Sequence, residues 1–364
     1  MDSFAFIIHP IDPKRDVSRK YPALGKYLTE GQINYFSTFF PPVYISEIEG
    51  IKSESTGKQV KGWFIACPYT PKRMLELPVE TVYKKLVQTG HLAEELGAQI
   101  LGLGAFTSVV GDSGLTVAQK LDIPVTTGDS YTVFIAVESV RKAAELMDIP
   151  LFGATAAIVG ATGAIGRVCA ELLANDVGEL YLIGRRTDAL EDLRMSLQPM
   201  SRAKLRTSTS MDDLRHAQLI LTVTSALQDV ILPEHLQPGS VICDVARPRD
   251  VSAKVASARD DILVIDGGMV DVPGSVDFHF NFGFPEGKSF ACMAETIALT
   301  LEGKFEDYTV GKNISRPQVE EIAAIATKHG FRLGGFRSFE REVTEEKLDK
   351  VRQNARKAQS SRHN

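Results

Sequence analysis

Between residues 154 and 265 the chain carries five short, continuous apolar runs: Ala154–Val159, Leu180–Ile183, Leu219–Val223, Val241–Val245 and Ile262–Ile265. Helical or loop segments separate them. A strand with one wet face alternates apolar and polar residues. A run that is apolar at every position fits a strand buried on both faces, as in a parallel sheet covered by helices. This rhythm predicts an α/β fold with a Rossmann-like doubly wound parallel sheet. The first run leads directly into Gly160-Ala161-Thr162-Gly163-Ala164-Ile165-Gly166, which opens a helix toward Leu173. Small residues there let the backbone turn tightly and approach a pyrophosphate, whose charge rests on the helix N-terminus. A glycine triplet alone is a weak signal. With a strand before it and a helix after it, it marks a dinucleotide site.

Gly160, Thr162, Gly163, Ala164, Ile165 and Gly166 are therefore candidate cofactor-binding residues. The second run ends in Arg185-Arg186-Thr187, where an NAD-specific site places an acid for the ribose 2′-hydroxyl. Arginine offers a planar fork and a permanent charge suited to a 2′-phosphate, so NADPH is the expected cofactor. Thr224, Ser225 and Ala246 are placed at the carboxyl ends of later strands to line the same crevice. So are Arg247 and Asp266-Gly267-Gly268.

The rest of the chain is read around this domain. At roughly 150 residues per domain, 364 residues imply two. The first ~50 residues are expected to be irregular, because Pro10, Pro13, Pro22, Pro41 and Pro42 interrupt any helix. Val60–Ala66 reads as a strand, Val79–Leu96 as a helix, Ile100–Leu103 as a strand and Tyr131–Met147 as a helix. The expected division is an N-terminal α/β substrate domain over 1–149 and a Rossmann NADP(H)-binding domain over 150–288. C-terminal helices over 289–336 and a charged, frayed tail over 337–364 complete it. A net charge of −5 offers no general attraction for nucleic acid. No stretch approaches the ~20 apolar residues of a membrane helix. The start Met1-Asp2-Ser3-Phe4 lacks the basic and small-residue features of a signal peptide, so a cytoplasmic protein is expected.

The four cysteines, Cys67, Cys169, Cys243 and Cys292, are far apart and form neither a disulfide framework nor a zinc spacing. The histidines show no metal spacing either; His9 and His279 are acid/base candidates. Cys169 and Cys243 read as packing, and Cys67 as a rival nucleophile. With Ser289 as N-cap, Cys292 falls in a first helical turn, where the helix terminus is expected to lower its pKa. A thiolate there attacks acyl carbonyls, and the first backbone amides of the helix stabilise the oxyanion. A buried packing role for the same cysteine remains the alternative. Glu295, one turn on, reads equally as a site residue or as a helix-face packing or capping one.

Several segments together carry a resemblance. They are Pro41-Pro42, Lys52–Gly62 (KSESTGKQVKG), Leu101–Val110 (LGLGAFTSVV), Thr126–Thr132 (TTGDSYT), Gly160–Gly166, Phe290–Glu295 (FACMAE), Glu302-Gly303 and Lys328–Phe331. In this order the chain resembles the long-chain fatty acyl-[acyl-carrier-protein] reductases of cyanobacteria. The resemblance implies NADPH-dependent reduction of acyl-carrier-protein or coenzyme A thioesters to aldehydes, with Cys292 as the acylated nucleophile. It also implies a downstream aldehyde-consuming enzyme and help from magnesium, although no ligand cluster is readable. Where the family commonly has Asn and His, this chain has Asp129 and Tyr131. A long acyl chain calls for an apolar tunnel, for which Phe36, Phe39, Phe40 and Phe106 are candidates, each also fit for ordinary core.

Two other classes stay open from the residues alone. A shikimate- or amino-acid-type dehydrogenase needs a lysine–aspartate pair, for which Lys84 or Lys85 with Asp112 is available. A non-catalytic NADP(H)-binding protein would keep the second domain alone in use.

Overall fold

The computed structural model describes residues 1–226 and 230–361. Its contacts fall into two units, each drawn from separate stretches of chain. The first comprises Met1–Tyr131, Val270–Asn313 and Glu320–Arg332; the second comprises Thr132–Met269, Ile314–Val319 and the chain from Leu333 onward. This division is not the linear one drawn from sequence. The helix bearing Cys292 belongs to the first unit, and the C-terminal segment belongs to the second.

The first unit is built on a six-stranded sheet, ordered Gly274–Asp277, Val43–Lys52, Gln59–Ala66, Asp2–Ile8, Leu101–Leu103, Val125–Thr126. Asp2–Ile8 pairs parallel with both of its neighbours, so the expected irregular N-terminus instead supplies a central strand. Phe4, Ala5, Phe6 and Ile7 are all buried, the signature of a strand covered on both faces. Two of the prolines that suggested irregularity stand at helix starts. Pro13 and Pro22 open the helices Pro13–Lys20 and Pro22–Tyr27, where a missing N–H breaks no bond. The short helix Glu30–Phe36 buries only Ile33, which leaves Phe36, Phe39 and Phe40 exposed rather than in a tunnel or core; Phe106 is buried.

A hydrogen-bond chain from buried Ser53 and His329 to the exposed Glu302 closes the turn after Val43–Lys52. Ser53 Oγ lies 2.8 Å from His329 Nδ1, and His329 Nε2 lies 2.7 Å from Glu302. A serine–histidine–carboxylate chain invites a nucleophilic reading. Here Ser53 is 2% exposed and its oxygen also accepts the Thr56 N–H, so it is a clamp between segments distant in sequence.

The second unit holds six parallel strands in the order Leu263–Asp266, Val241–Asp244, Leu219–Thr222, Thr155–Val159, Glu179–Ile183, Lys204–Ser208. Counted along the chain from Thr155–Val159, this is the 3-2-1-4-5-6 order of a doubly wound dinucleotide fold, with its switch point beside Thr155–Val159. The five apolar runs all became strands. Lys204–Ser208 was missed, because an edge strand with one wet face carries no continuous apolar run.

The C-terminal segment is no frayed tail. Glu345–Ser361 is a helix whose Leu348, Val351 and Ala355 are buried in the second unit. Its arginines are used within the chain: Arg352 donates to the Leu146 carbonyl and Arg356 pairs with Asp148. Removing the Leu348 side chain (Leu348→Ala) should cost about 2–5 kcal/mol. Equilibrium urea unfolding checks this; a loss under half a kcal/mol would show that the helix is only loosely attached.

Candidate active site and dinucleotide site

In the second unit the chain leaves Thr155–Val159 through Gly160, whose φ of +84° suits glycine alone, and enters the helix Ala164–Leu173. A Cβ on Gly160 would stand 2.7 Å from the Val223 carbonyl oxygen, and one on Gly166 would stand 2.3 Å from the Gly160 oxygen. Gly163 is the N-cap, and no side chain caps the helix. Thr162 and Gly163 are exposed and Ala164 and Ile165 half-buried, while Gly166 packs beneath the turn. The result is a shallow cradle that side chains would fill, ending in uncapped helical N–H groups, and it fits a pyrophosphate.

Arg185, Arg186 and Thr187 follow the Glu179–Ile183 strand and are all exposed. Other predicted lining residues are already engaged. Buried Asp250 accepts from the Thr222 hydroxyl at 2.6 Å, the Thr224 N–H at 3.0 Å and the Thr224 hydroxyl at 2.5 Å. Thr224 thus shapes the strand end instead of offering its proton outward, while Ser225 is exposed. Ala246 is buried with its N–H donated to Asp244 at 3.1 Å. Burial pushes the Asp244 carboxyl up to about 7. Asp266 is held by Arg249 and Arg337, the latter at 3.0 Å from the C-terminal segment, a partner nothing in the local sequence announces.

In the first unit Cys292 sits at the second position of the helix Ala291–Glu302. The N-cap is Phe290, not Ser289, because Ser289 is taken into the short strand Lys288–Phe290. Cys292 keeps partial exposure, while Cys67, Cys169 and Cys243 are buried. Gly128 lies against it: a Cβ there would be 2.3 Å from Cys292 Cα and 2.4 Å from its Cβ. The Gly128 φ of +75° lets the chain pass that close before the helix Asp129–Leu146 begins.

Three acids and bases surround this contact. Glu295 is fully buried. It accepts from the Thr126 hydroxyl at 2.5 Å, the Thr309 hydroxyl at 2.8 Å and the Tyr131 N–H at 2.8 Å. It is the capping residue of the two sequence readings, though it caps a helix other than its own. Asp129 is 6% exposed; burial and the Glu295 charge push its carboxyl up to about 7. His9 is buried and its Nε2 accepts the Phe106 N–H at 3.0 Å; burial lowers its pKa to about 4. Ala105, just before Phe106, is held at φ +49°, a strained conformation for a residue with a Cβ.

The expected low thiol pKa is overturned. Burial, with the charges of Asp129 and Glu295, pushes the Cys292 thiol up to about 12; the N–H groups of Met293 and Ala105 oppose that rise without cancelling it. A helix terminus contributes about 2 kcal/mol at most in its first turn, and burial, with two carboxylates added to it, outweighs that. His279 is exposed between Glu49 and Asp277, away from any such enclosure. Lys85 donates to the Phe40 carbonyl and Asp112 is taken up by Thr116. No lysine–aspartate pair forms there among the described residues. Among the described residues no group of three or more His, Cys, Asp or Glu is arranged to hold a metal ion, and no helix is long and apolar enough to cross a membrane.

Comparison with known proteins bears on both halves. A family model for shikimate / quinate 5-dehydrogenases matches residues 120–266. The chain is 30% identical over 336 residues to the long-chain acyl-[acyl-carrier-protein] reductase of Synechococcus elongatus, covering 88% of this chain and 95% of that protein. The chain belongs to that reductase family. With its Rossmann-type second unit it is an NAD(P)H-dependent oxidoreductase. It is also 33% identical over 301 residues to the aminotransferase PigE of a Serratia strain. That match covers 81% of this chain and 35% of the relative, so the chain spans about a third of that protein's length. Among solved structures, L-tryptophan dehydrogenase from Nostoc punctiforme is similar at a TM-score of 0.43 and 12% identity, covering 99% of this chain and 89% of that one.

Placing a methyl group beneath the glycine turn tests the cradle. Gly166→Ala should weaken NADPH binding by roughly tenfold or more, about 1.4 kcal/mol. Fluorescence titration of the bound nicotinamide measures it, and an unchanged affinity would remove the loop from the site.

Proposed function

We propose that the chain reduces fatty acyl thioesters, carried by acyl carrier protein or coenzyme A, to aldehydes with NADPH through an acyl-Cys292 intermediate. The observation that carries this reading is the placement of Cys292. In a chain of the acyl-[acyl-carrier-protein] reductase family, it alone among the cysteines keeps accessible surface. It stands in a first helical turn with the Met293 and Ala105 N–H groups directed to its thiol.

The bound nicotinamide supplies hydride. Every other task falls to the chain. Gly160, Gly163 and Gly166 give the pyrophosphate a close backbone approach. Arg185 and Arg186, both exposed, meet the 2′-phosphate. Cys292 attacks the thioester carbonyl, and the carrier thiol departs. The N–H groups of Met293 and Ala105 stabilise the negative charge that develops beside the sulfur. After reduction the hemithioacetal collapses, releasing the aldehyde and restoring the thiol. The strained Ala105 is held for this work by the bond from Phe106 to His9.

Three measurements test the reading. Incubation with acyl-CoA in the absence of NADPH should add one acyl mass to the protein, mapped to Cys292. Cys292→Ser should lose both the thioester adduct and aldehyde formation while binding NADPH normally; aldehyde formation at the wild-type rate would refute the covalent route. Replacing both Arg185 and Arg186 with Ala should cost roughly 10- to 100-fold in NADPH affinity and leave NADH binding nearly unchanged. Equal losses for the two cofactors would show that the arginines do not read the phosphate.

A further inference from the structure

A thiol held near 12 is almost wholly protonated at neutral pH, so a nucleophilic Cys292 needs a group to receive its proton. Two buried carboxylates act on this sulfur. Glu295 is committed elsewhere: it is fully buried, and its oxygens accept from two hydroxyls and one backbone N–H that tie three segments together. Asp129 differs. It follows Gly128, the residue whose backbone touches Cys292, and it stands in the first turn of its helix with 6% of its surface exposed.

We propose that Asp129 is the proton acceptor and donor for Cys292: it takes the thiol proton as the sulfur attacks and returns it to the departing carrier sulfur. This rests on the acyl-transfer reading above. As the Cys292 S–H bond breaks, its proton passes to an Asp129 carboxylate oxygen, and the sulfur forms a bond to the acyl carbon. The bond from that carbon to the carrier sulfur then breaks, and the carrier thiolate takes the proton from Asp129. Hydride from the nicotinamide and one solvent proton complete the later conversion to aldehyde and free Cys292 thiol.

The surrounding groups suit the role. The Ala291–Glu302 helix carries both Cys292, against which Gly128 packs, and Glu295; burial and the Glu295 charge raise the Asp129 carboxyl toward neutrality, and the Thr127 side chain opposes that rise. Tyr131, on the same helix as Asp129, is kept protonated by burial, and His9 behind the Ala105–Phe106 turn is kept neutral by burial. With its carboxyl near 7, Asp129 is a base above that pH and an acid below it, which is the range in which one group serves both steps.

The test uses the intact protein and iodoacetamide, with alkylation of Cys292 followed by peptide mass across pH 5–9. In the wild type the rate should rise through an inflection near 7, as the Asp129 carboxylate forms. Asp129→Asn should lose the inflection and react more slowly at pH 8. The same variant should form the acyl-CoA adduct about 10²-fold more slowly while binding NADPH normally. A merely repelling carboxylate predicts the opposite sign: removing its charge lowers the thiol pKa, so Asp129→Asn would be alkylated faster. Faster or equal alkylation therefore overturns the proposal. If the variant does not fold, a wild-type profile without an inflection near 7 overturns it as well. An Asp129-dependent alkylation profile with no acyl adduct in the wild type would keep the proton acceptor and reject the acyl-transfer reading.

Discussion

The carboxylate of Glu295 is the joint on which the thiol site depends. It reaches from the Cys292 helix to the Thr126 hydroxyl at a strand end, the Thr309 hydroxyl on the returning segment and the Tyr131 N–H at a helix start. Backbone bonds reinforce the same joint: Thr127 donates to the Thr309 carbonyl at 2.8 Å and Tyr308 to the Val125 carbonyl at 3.2 Å. Gly128 is thereby pressed onto Cys292. Burial raises the Glu295 pKa, so the ion is tolerated only because three donors replace its water. Taking away such a partner from a buried network strands the remaining donors, which typically costs about 1–3 kcal/mol for each.

The second unit uses the same device. Asp250 gathers Thr222 and Thr224, Asp244 holds the N–H groups of Ala246 and Val251, and Asp266 draws in Arg249 and Arg337. In each case an acid at or after the carboxyl end of a parallel strand shapes the loop that follows. Loops there must stay open to a ligand, so they have little apolar surface to bury. Directed hydrogen bonds to a buried acid give them definition instead.

Several features were legible because they depend on near neighbours in the chain. Continuous apolar runs identified five strands of the second unit, and the glycine triplet located its switch point. The helix Val79–Glu95 closely follows its apolar spacing. The strand Asp2–Ile8 was hidden by the prolines after it, two of which, Pro13 and Pro22, serve as helix starts; a proline stops one element as readily as it opens the next. The C-terminal helix was hidden by its charge. Its apolar face is only three residues, Leu348, Val351 and Ala355, set among lysines and arginines whose stems accompany them.

The thiol site divides along the same line. The sequence by itself determined that Cys292 stands in a first helical turn and that a doubly wound dinucleotide fold carries the glycine loop Gly160–Gly166 and, at the end of its next strand, two arginines. Each of those facts is encoded within a short local stretch. Only the tertiary structure decided the chemistry of the sulfur. Asp129 is more than a hundred and fifty residues from Cys292 in the chain, and its charge acts on the thiol only because Gly128 is packed against it. A helix terminus is a local property and was readable. Desolvation and the approach of distant carboxylates are properties of the folded packing, and they reversed the sign of the thiol's pKa shift.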